Sequence, residues 1–202
     1  ARHTHQLIRR NDMTSSNAIE QTKNITNGVD VDQIMGLIGE IESDSGYARF
    51  QFRAINQWVS GGQTQSRIKE FYAGNAEDTT RKQAFTLKSD EPIIAAGQDS
   101  APNAMEYILH ALASCLTASL VYHAAVRGIE IEAVESSYTG DMDVRGLLGL
   151  ADDVRKGFSK VAVNMRVKSA ASAEELTELA MFSPVHDIIS NSLPVEFRLT
   201  TC

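Results

Sequence analysis

Cysteine is scarce in this 202-residue chain, which holds two, Cys115 and Cys202. So thin a supply excludes a disulfide-stapled secreted domain and points to a reducing, cytoplasmic compartment. There is no CxxC pair and no HExxH helix, and the five histidines are scattered. No metal site is expected, nor any other cofactor, because no Gly-rich phosphate loop opens a helix. Basic residues are outnumbered 26 to 19, giving a formal charge of −7, and they cluster no further than pairs such as Arg9-Arg10 in the tail. That balance argues against a nucleic-acid partner. The opening Ala1-Arg2-His3-Thr4-His5 has no apolar core, so no secretory signal is expected.

One long apolar run is present, Tyr107 to Val126. Twenty such residues match a bilayer span in length. The run holds His110 and His123, is rich in small residues, and lacks basic flanks and aromatic belts. It reads as a buried helix of a soluble protein, with no membrane partner.

The remaining pattern places elements around that helix. Residues 1–28 are polar and aperiodic and read as a tail or arm, with one domain over 29–202. Asp30 is a candidate N-cap for a helix whose stripe is Ile34, Leu37, Ile38 and Ile41. Tyr47–Val59, Arg67–Tyr72 and Gln83–Leu87 read as strands, with a hairpin turn at Ser60-Gly61-Gly62. Asn103 and Glu106 form a capping box, and Gly128 stops the long helix. Small residues such as Ala111, Ser114, Ala118 and Ser119 keep that helix slim. A helix of this length, apolar nearly all round, is more than one subunit can wrap, so a homodimer is expected. Ile129–Tyr138 and Lys160–Lys168 alternate as strands around a Gly-rich connector. Ser172 and Glu175 open a further helix that ends before Pro184, and Pro194–Thr201 reads as a last edge strand. The expected order is α-βββ-α-ββ-α-β.

Three stretches together resemble the OsmC/Ohr superfamily. They are Pro102-Asn103-Ala104-Met105-Glu106 with Ala113-Ser114-Cys115-Leu116-Thr117, then Gly140-Asp141-Met142-Asp143-Val144-Arg145-Gly146, and then Ser183-Pro184-Val185-His186-Asp187. The similarity spans residues 47 to 202. The resemblance implies an α+β fold with curved antiparallel sheets around long central helices in an intertwined homodimer. It also implies a peroxidatic thiol at Cys115 and a site at the subunit interface. The family's resolving cysteine falls on Ser183, its arginine on Gln63, and the glutamate of its best-studied peroxidases on Met105. Glu106 stands one residue later, as in a less-characterised branch.

A peroxidatic thiol must ionise near neutral pH, so a cation or a set of donors must offset its burial. Cys115 is too far from the helix N-terminus for the dipole to do this. Arg53, Arg67 and Arg145 are the candidate cations, and Cys115 with Glu106 the candidate catalytic residues. The plainer readings are a small buried apolar residue for Cys115, a cap for Glu106, and a helix-end polar residue for Ser183. A Ser183-His186-Asp187 triad has little support from spacing alone. Two functions stand out. One is a single-Cys thiol peroxidase in the oxidative stress response, acting on organic hydroperoxides with an external thiol as reductant. The other is a non-catalytic module holding an apolar small molecule in the dimer cleft. A third, partner binding through the arm, rests on the arm's polarity alone.

Overall fold

In the computed structural model residues 23–201 are described. Most of the segment expected as an arm, and Cys202, lie outside them. The described chain opens with strands β1 (Ile25–Thr26) and β2 (Val29–Asp30), joined through Asn27 and Gly28, both at positive φ. The Asn27 amide donates to Ile129 O at 2.9 Å, and its oxygen accepts from Ile131 N at 2.8 Å. This hairpin is therefore pinned to the far end of the long helix. Helix α1 (Val31–Ser43) begins where expected, with Asp30 accepting from Gln33 N at 3.1 Å. It rests on the long helix near Val121 and Ala125.

Next come strands β3 (Ile55–Ser60), β4 (Gln63–Ile68), β5 (Phe71–Ala73), β6 (Ala76–Asp78) and β7 (Phe85–Ser89). Strands β3, β4 and β7 form an antiparallel sheet in the order β3-β4-β7, turning at Gly61-Gly62. The expected single strand Arg67–Tyr72 is split. Gly74 and Asn75, at φ of 57° and 61°, make a second hairpin that draws Phe71 away to pair with Asp78. The β3-β4-β7 sheet is an outlying arm: Trp58 is 74% exposed, and Ile55, Val59 and Phe85 are exposed with it. Residues 47–90 carry seven Lys and Arg against four Asp and Glu, whereas residues 91–202 carry eight against fifteen. The arm is thus net positive and the rest of the body net negative.

The long helix α2 (Ala104–Val126) has the capping box read from the sequence. Glu106 N donates to Asn103 Oδ1 at 2.9 Å, and Asn103 N to Glu106 Oε2 at 2.8 Å. Gly128, at φ 69°, stops it. At 23 residues, with a most apolar 18-residue stretch of mean hydropathy 1.4, α2 is long and apolar enough to cross a bilayer. One side of it packs as a core helix does. Leu112, Leu116, Leu120 and Ala124 are buried against Leu176, Leu179 and Ala180, with Ile131, Val134 and Met165 closing around them. Each buried leucine among them contributes about 1.5–3 kcal/mol through burial.

Burial on most sides of α2, expected from its composition, is not found within one copy. The row His110, Ser114, Ala118 and Tyr122 is exposed. These residues lie four apart, on one ridge of the helix. The elements that follow α2 cover only the other side.

Strands β8 (Ile131–Asp141) and β9 (Lys160–Ser169) form a long antiparallel pair. The Gly-rich connector between them folds as a tight knot around α3 (Val144–Leu147). A Cβ on Gly140 would meet the Phe158 ring at 2.4 Å, and one on Gly146 would meet Arg155 O at 2.5 Å. Close approach, rather than ligand binding, explains these two glycines. Helix α4 (Ala173–Ala180) is capped by Ser172. Pro184 does not merely close it. Proline at a first helical position suits an N-terminus, and Pro184 opens a further helix, α5 (Pro184–Ser190), that the sequence reading did not separate.

The expected last strand does not form: residues 191–201 pair with no strand. Val195, Phe197 and Leu199 are 82%, 81% and 72% exposed. The alternation is real, but this segment has no ladder partner within one copy.

Candidate functional site

Cys115 lies midway along α2, partly buried. At 100° per residue it sits between the exposed ridge and the face bearing Leu112 and Leu116. Among the described residues its thiol makes no hydrogen bond or ion pair. Glu106, the other candidate catalytic residue, is nine residues back, about 13 Å along the axis and on the opposite side. Its carboxylate holds the N-cap of α2. The two do not meet within one copy.

The three candidate cations are dispersed. Arg53 grips Glu77 at 2.7 Å and Gln51 at 2.7 Å. Arg145 grips Asp143, its Nε at 2.9 Å from Oδ2. Arg67 is exposed on β4, opposite Ile55 and Thr86. Gln63, at the position of the family's arginine, is turned into a polar cluster. Its Nε2 donates to Asp90 Oδ2 and Gln98 Oε1, both at 3.2 Å.

Asp90 is the centre of that cluster and was missed in the sequence. It is 1% exposed. It accepts from Ser100 Oγ at 2.7 Å, Ser100 N at 3.1 Å and Glu91 N at 2.9 Å, besides Gln63. The Ser100 hydroxyl, above all, outweighs burial and brings its carboxyl down to about 2. The only signal in the sequence was an aspartate at the end of a strand beside Glu91-Pro92. The loop it anchors is tight: a Cβ on Gly97 would lie 1.7 Å from Glu91 O. This cluster ties the start of β4, the end of β7 and the approach to α2 together.

Ser183 is a cap. It is 1% exposed, and its hydroxyl accepts from His186 N at 3.1 Å. The His186 ring faces Ser190 instead, at 3.4 Å. The suggested triad is not assembled. Ser183→Ala should therefore cost about 0.5–2 kcal/mol of stability, as lost caps do. Urea unfolding would measure this, and a loss below that range would contradict the capping role. Nearby, the His123 ring stacks on Phe182 at 4.1 Å, and burial, then Arg127, pushes its imidazole below the usual value.

A cavity of about 1140 Å³ opens between α2, β9, α4 and α5. Met105, Ile108, Leu112, Leu116, Val163 and Met165 line it, and Cys115 does not. Among the described residues no group of three His, Cys, Asp or Glu could hold a metal ion.

With this geometry in hand, the comparisons identify the class. The family model for OsmC-like proteins matches residues 97–198, just over half of the chain. The chain belongs to that family. An OsmC-like protein of Mycoplasma pneumoniae is 16% identical, with a TM-score of 0.53 over 70% of this chain and 89% of that one. An OsmC-like protein of unknown function from Vibrio cholerae is 13% identical, with a TM-score of 0.50 over 72% and 95%. An organic hydroperoxide resistance protein, OsmC, from Legionella pneumophila is 19% identical, with a TM-score of 0.44 over 68% and 88%. No curated protein matches the sequence.

Proposed function

We propose that this OsmC-like chain acts as a cytoplasmic homodimer in which Cys115 is a lone reactive thiol that consumes organic hydroperoxides. The observation that carries the reading is the placing of Cys115. It lies in the matched region, on the long helix, unpaired and only partly buried, beside a ridge left open. The Cys115 thiolate attacks the distal oxygen of the hydroperoxide. An S–O bond forms, the O–O bond breaks, and the alcohol leaves with a proton. One external thiol condenses with the resulting sulfenic acid, releasing water. A second restores Cys115 and departs as a disulfide.

A second copy is the natural source of the missing surroundings. The β3-β4-β7 sheet exposes Ile55, Trp58, Val59 and Phe85, and residues 47–90 are opposite in charge to the rest of the body. The small residues Ser114 and Ala118 on the open ridge allow close approach. Arg53 and Arg145 are already paired locally, so exposed Arg67 of the arm is the cation best free to face a thiol across the dimer.

Purified protein should sediment as a dimer and oxidise dithiothreitol when given cumene hydroperoxide. Cys115→Ser should abolish that turnover and the trapping of a sulfenic acid, while Cys202→Ser leaves both. Unchanged turnover in Cys115→Ser would sink the peroxidase reading.

A second reading, a module that binds an apolar small molecule, is favoured by the cavity. One of its walls is the thiol-bearing helix, yet the thiol is not among the lining residues.

A further inference from the structure

We infer that Asn27-Gly28 is a site of spontaneous deamidation that the fold holds in check, and whose conversion permanently unfastens the N-terminal hairpin from the long helix. The pair occupies the β1-β2 turn, with φ of 54° at Asn27 and 77° at Gly28. That left-handed geometry is what the dipeptide supplies to the turn. The same dipeptide carries its own chemistry. Gly28 is exposed, and a Cβ on it would meet nothing within 4 Å, so no packed neighbour crowds this peptide. The Gly28 nitrogen attacks the side-chain carbonyl carbon of Asn27. A C–N bond forms there, the bond to the side-chain nitrogen breaks, and ammonia leaves with the proton lost by Gly28. Water then opens the cyclic imide at either carbonyl, leaving an aspartyl or isoaspartyl residue at position 27. Water enters and ammonia leaves, so no oxidant or reductant is required.

Attack requires the Asn27 side chain to fold back over its own backbone. In the fold both of its polar atoms are held elsewhere. Nδ2 donates to Ile129 O at 2.9 Å, and Oδ1 accepts from Ile131 N at 2.8 Å. Beside the turn, Val29 and Val31 are buried with Ala125 of α2. The reaction therefore runs from the fraction of molecules whose hairpin has opened locally. Its product cannot restore the clasp. A carboxylate at position 27 still accepts from Ile131 N but has no proton for Ile129 O. Two oxygens, one of them charged, then face each other where a hydrogen bond stood. The isoaspartyl product also lengthens the main chain inside the turn, which shifts the pairing of Thr26 with Val29. Opening thus becomes a one-way step. Each converted copy keeps its hairpin and the start of α1 loosened from the helix that bears Cys115.

Peptide mapping of the full-length protein, incubated at pH 8 both native and in guanidinium chloride, tests this. The mass gain at position 27, and labelling there by a protein-isoaspartyl methyltransferase, give the rate. Conversion should be at least about tenfold slower in the native protein, since the clasp must open first. Val29→Ala, which weakens the seat of the hairpin beside Ala125, should speed native conversion and leave the rate in guanidinium chloride unchanged. Asn27→Asp stands for the aspartyl product. Its amide hydrogens in β1, β2 and the first turn of α1 should exchange faster than those of the wild type, while those of β9 stay as they were. Equal rates in the native and unfolded chain would overturn the gating by the fold, and no conversion in either would overturn the site. Unchanged exchange in Asn27→Asp would overturn the release.

Discussion

Replacing Leu120 by alanine is expected to lower stability by about 2–5 kcal/mol. Leu120 is 0% exposed, in the buried row Leu112-Leu116-Leu120-Ala124 of α2. That row is the seam through which the long helix meets α4, α5 and the β8-β9 pair. Removing three carbons from it forfeits their transfer out of water and leaves a void that rigid helices cannot close. For a chain of this size the melting temperature should fall by about 5–15 °C. Thermal unfolding at one fixed protein concentration is the measurement, since association would otherwise shift the midpoint. A loss under about 1 kcal/mol would mean that the seam relaxes around the hole, and that α2 is not the keystone of the core.

Asp90→Asn should destabilise the protein strongly at neutral pH, and the deficit should shrink in acid. The substitution keeps the shape but turns one of the two acceptor positions into an amide donor, either the one that receives Ser100 N, Ser100 Oγ and Gln63 Nε2 or the one that receives Glu91 N. The serine hydroxyl can rotate and the glutamine can flip, but the backbone N–H groups of Ser100 and Glu91 can do neither. In either orientation of the amide one of them is left facing another donor. The pH dependence follows from the carboxyl being held at about 2 in the fold against 3.8 ordinarily. A depressed carboxyl contributes stability above its unfolded value, and that stability is lost as pH falls from 3.8 towards about 2. Over this window the wild type should lose stability faster than Asp90→Asn. Urea midpoints of both proteins at pH 7, 4 and 2.5 would show it, and parallel curves would mean that the Asp90 carboxylate is not what secures the loop.

The elements legible in the sequence were those with their own local chemistry. The caps Asp30, Asn103 and Ser172, the Gly61-Gly62 turn and the alternating β8-β9 pair each carry their signal within a few residues. The family was legible because Pro102–Thr117, Gly140–Gly146 and Ser183–Asp187 recur in order. What escaped was decided at a distance. Whether Pro194–Thr201 is a strand depends on a ladder partner, and alternation supplies none. The split of Arg67–Tyr72 was set by Gly74 and Asn75, which lie beyond the strand they interrupt. The Asp90 cluster joins positions 63, 90, 98 and 100, a spacing with no periodic mark. For the site, sequence gave positions but not company. Glu106 and Gln63 were aligned with the thiol by family likeness, and in the fold each is engaged elsewhere.

A subunit with Trp58 on an open sheet, and Val195, Phe197 and Leu199 along an unpaired segment, offers other chains both oil and backbone. Such edges are templates for pairing with whatever strand comes by. An unaccompanied copy would thus be a standing client of chaperones and proteases. The cellular level of the protein would then depend on how fast those edges are covered.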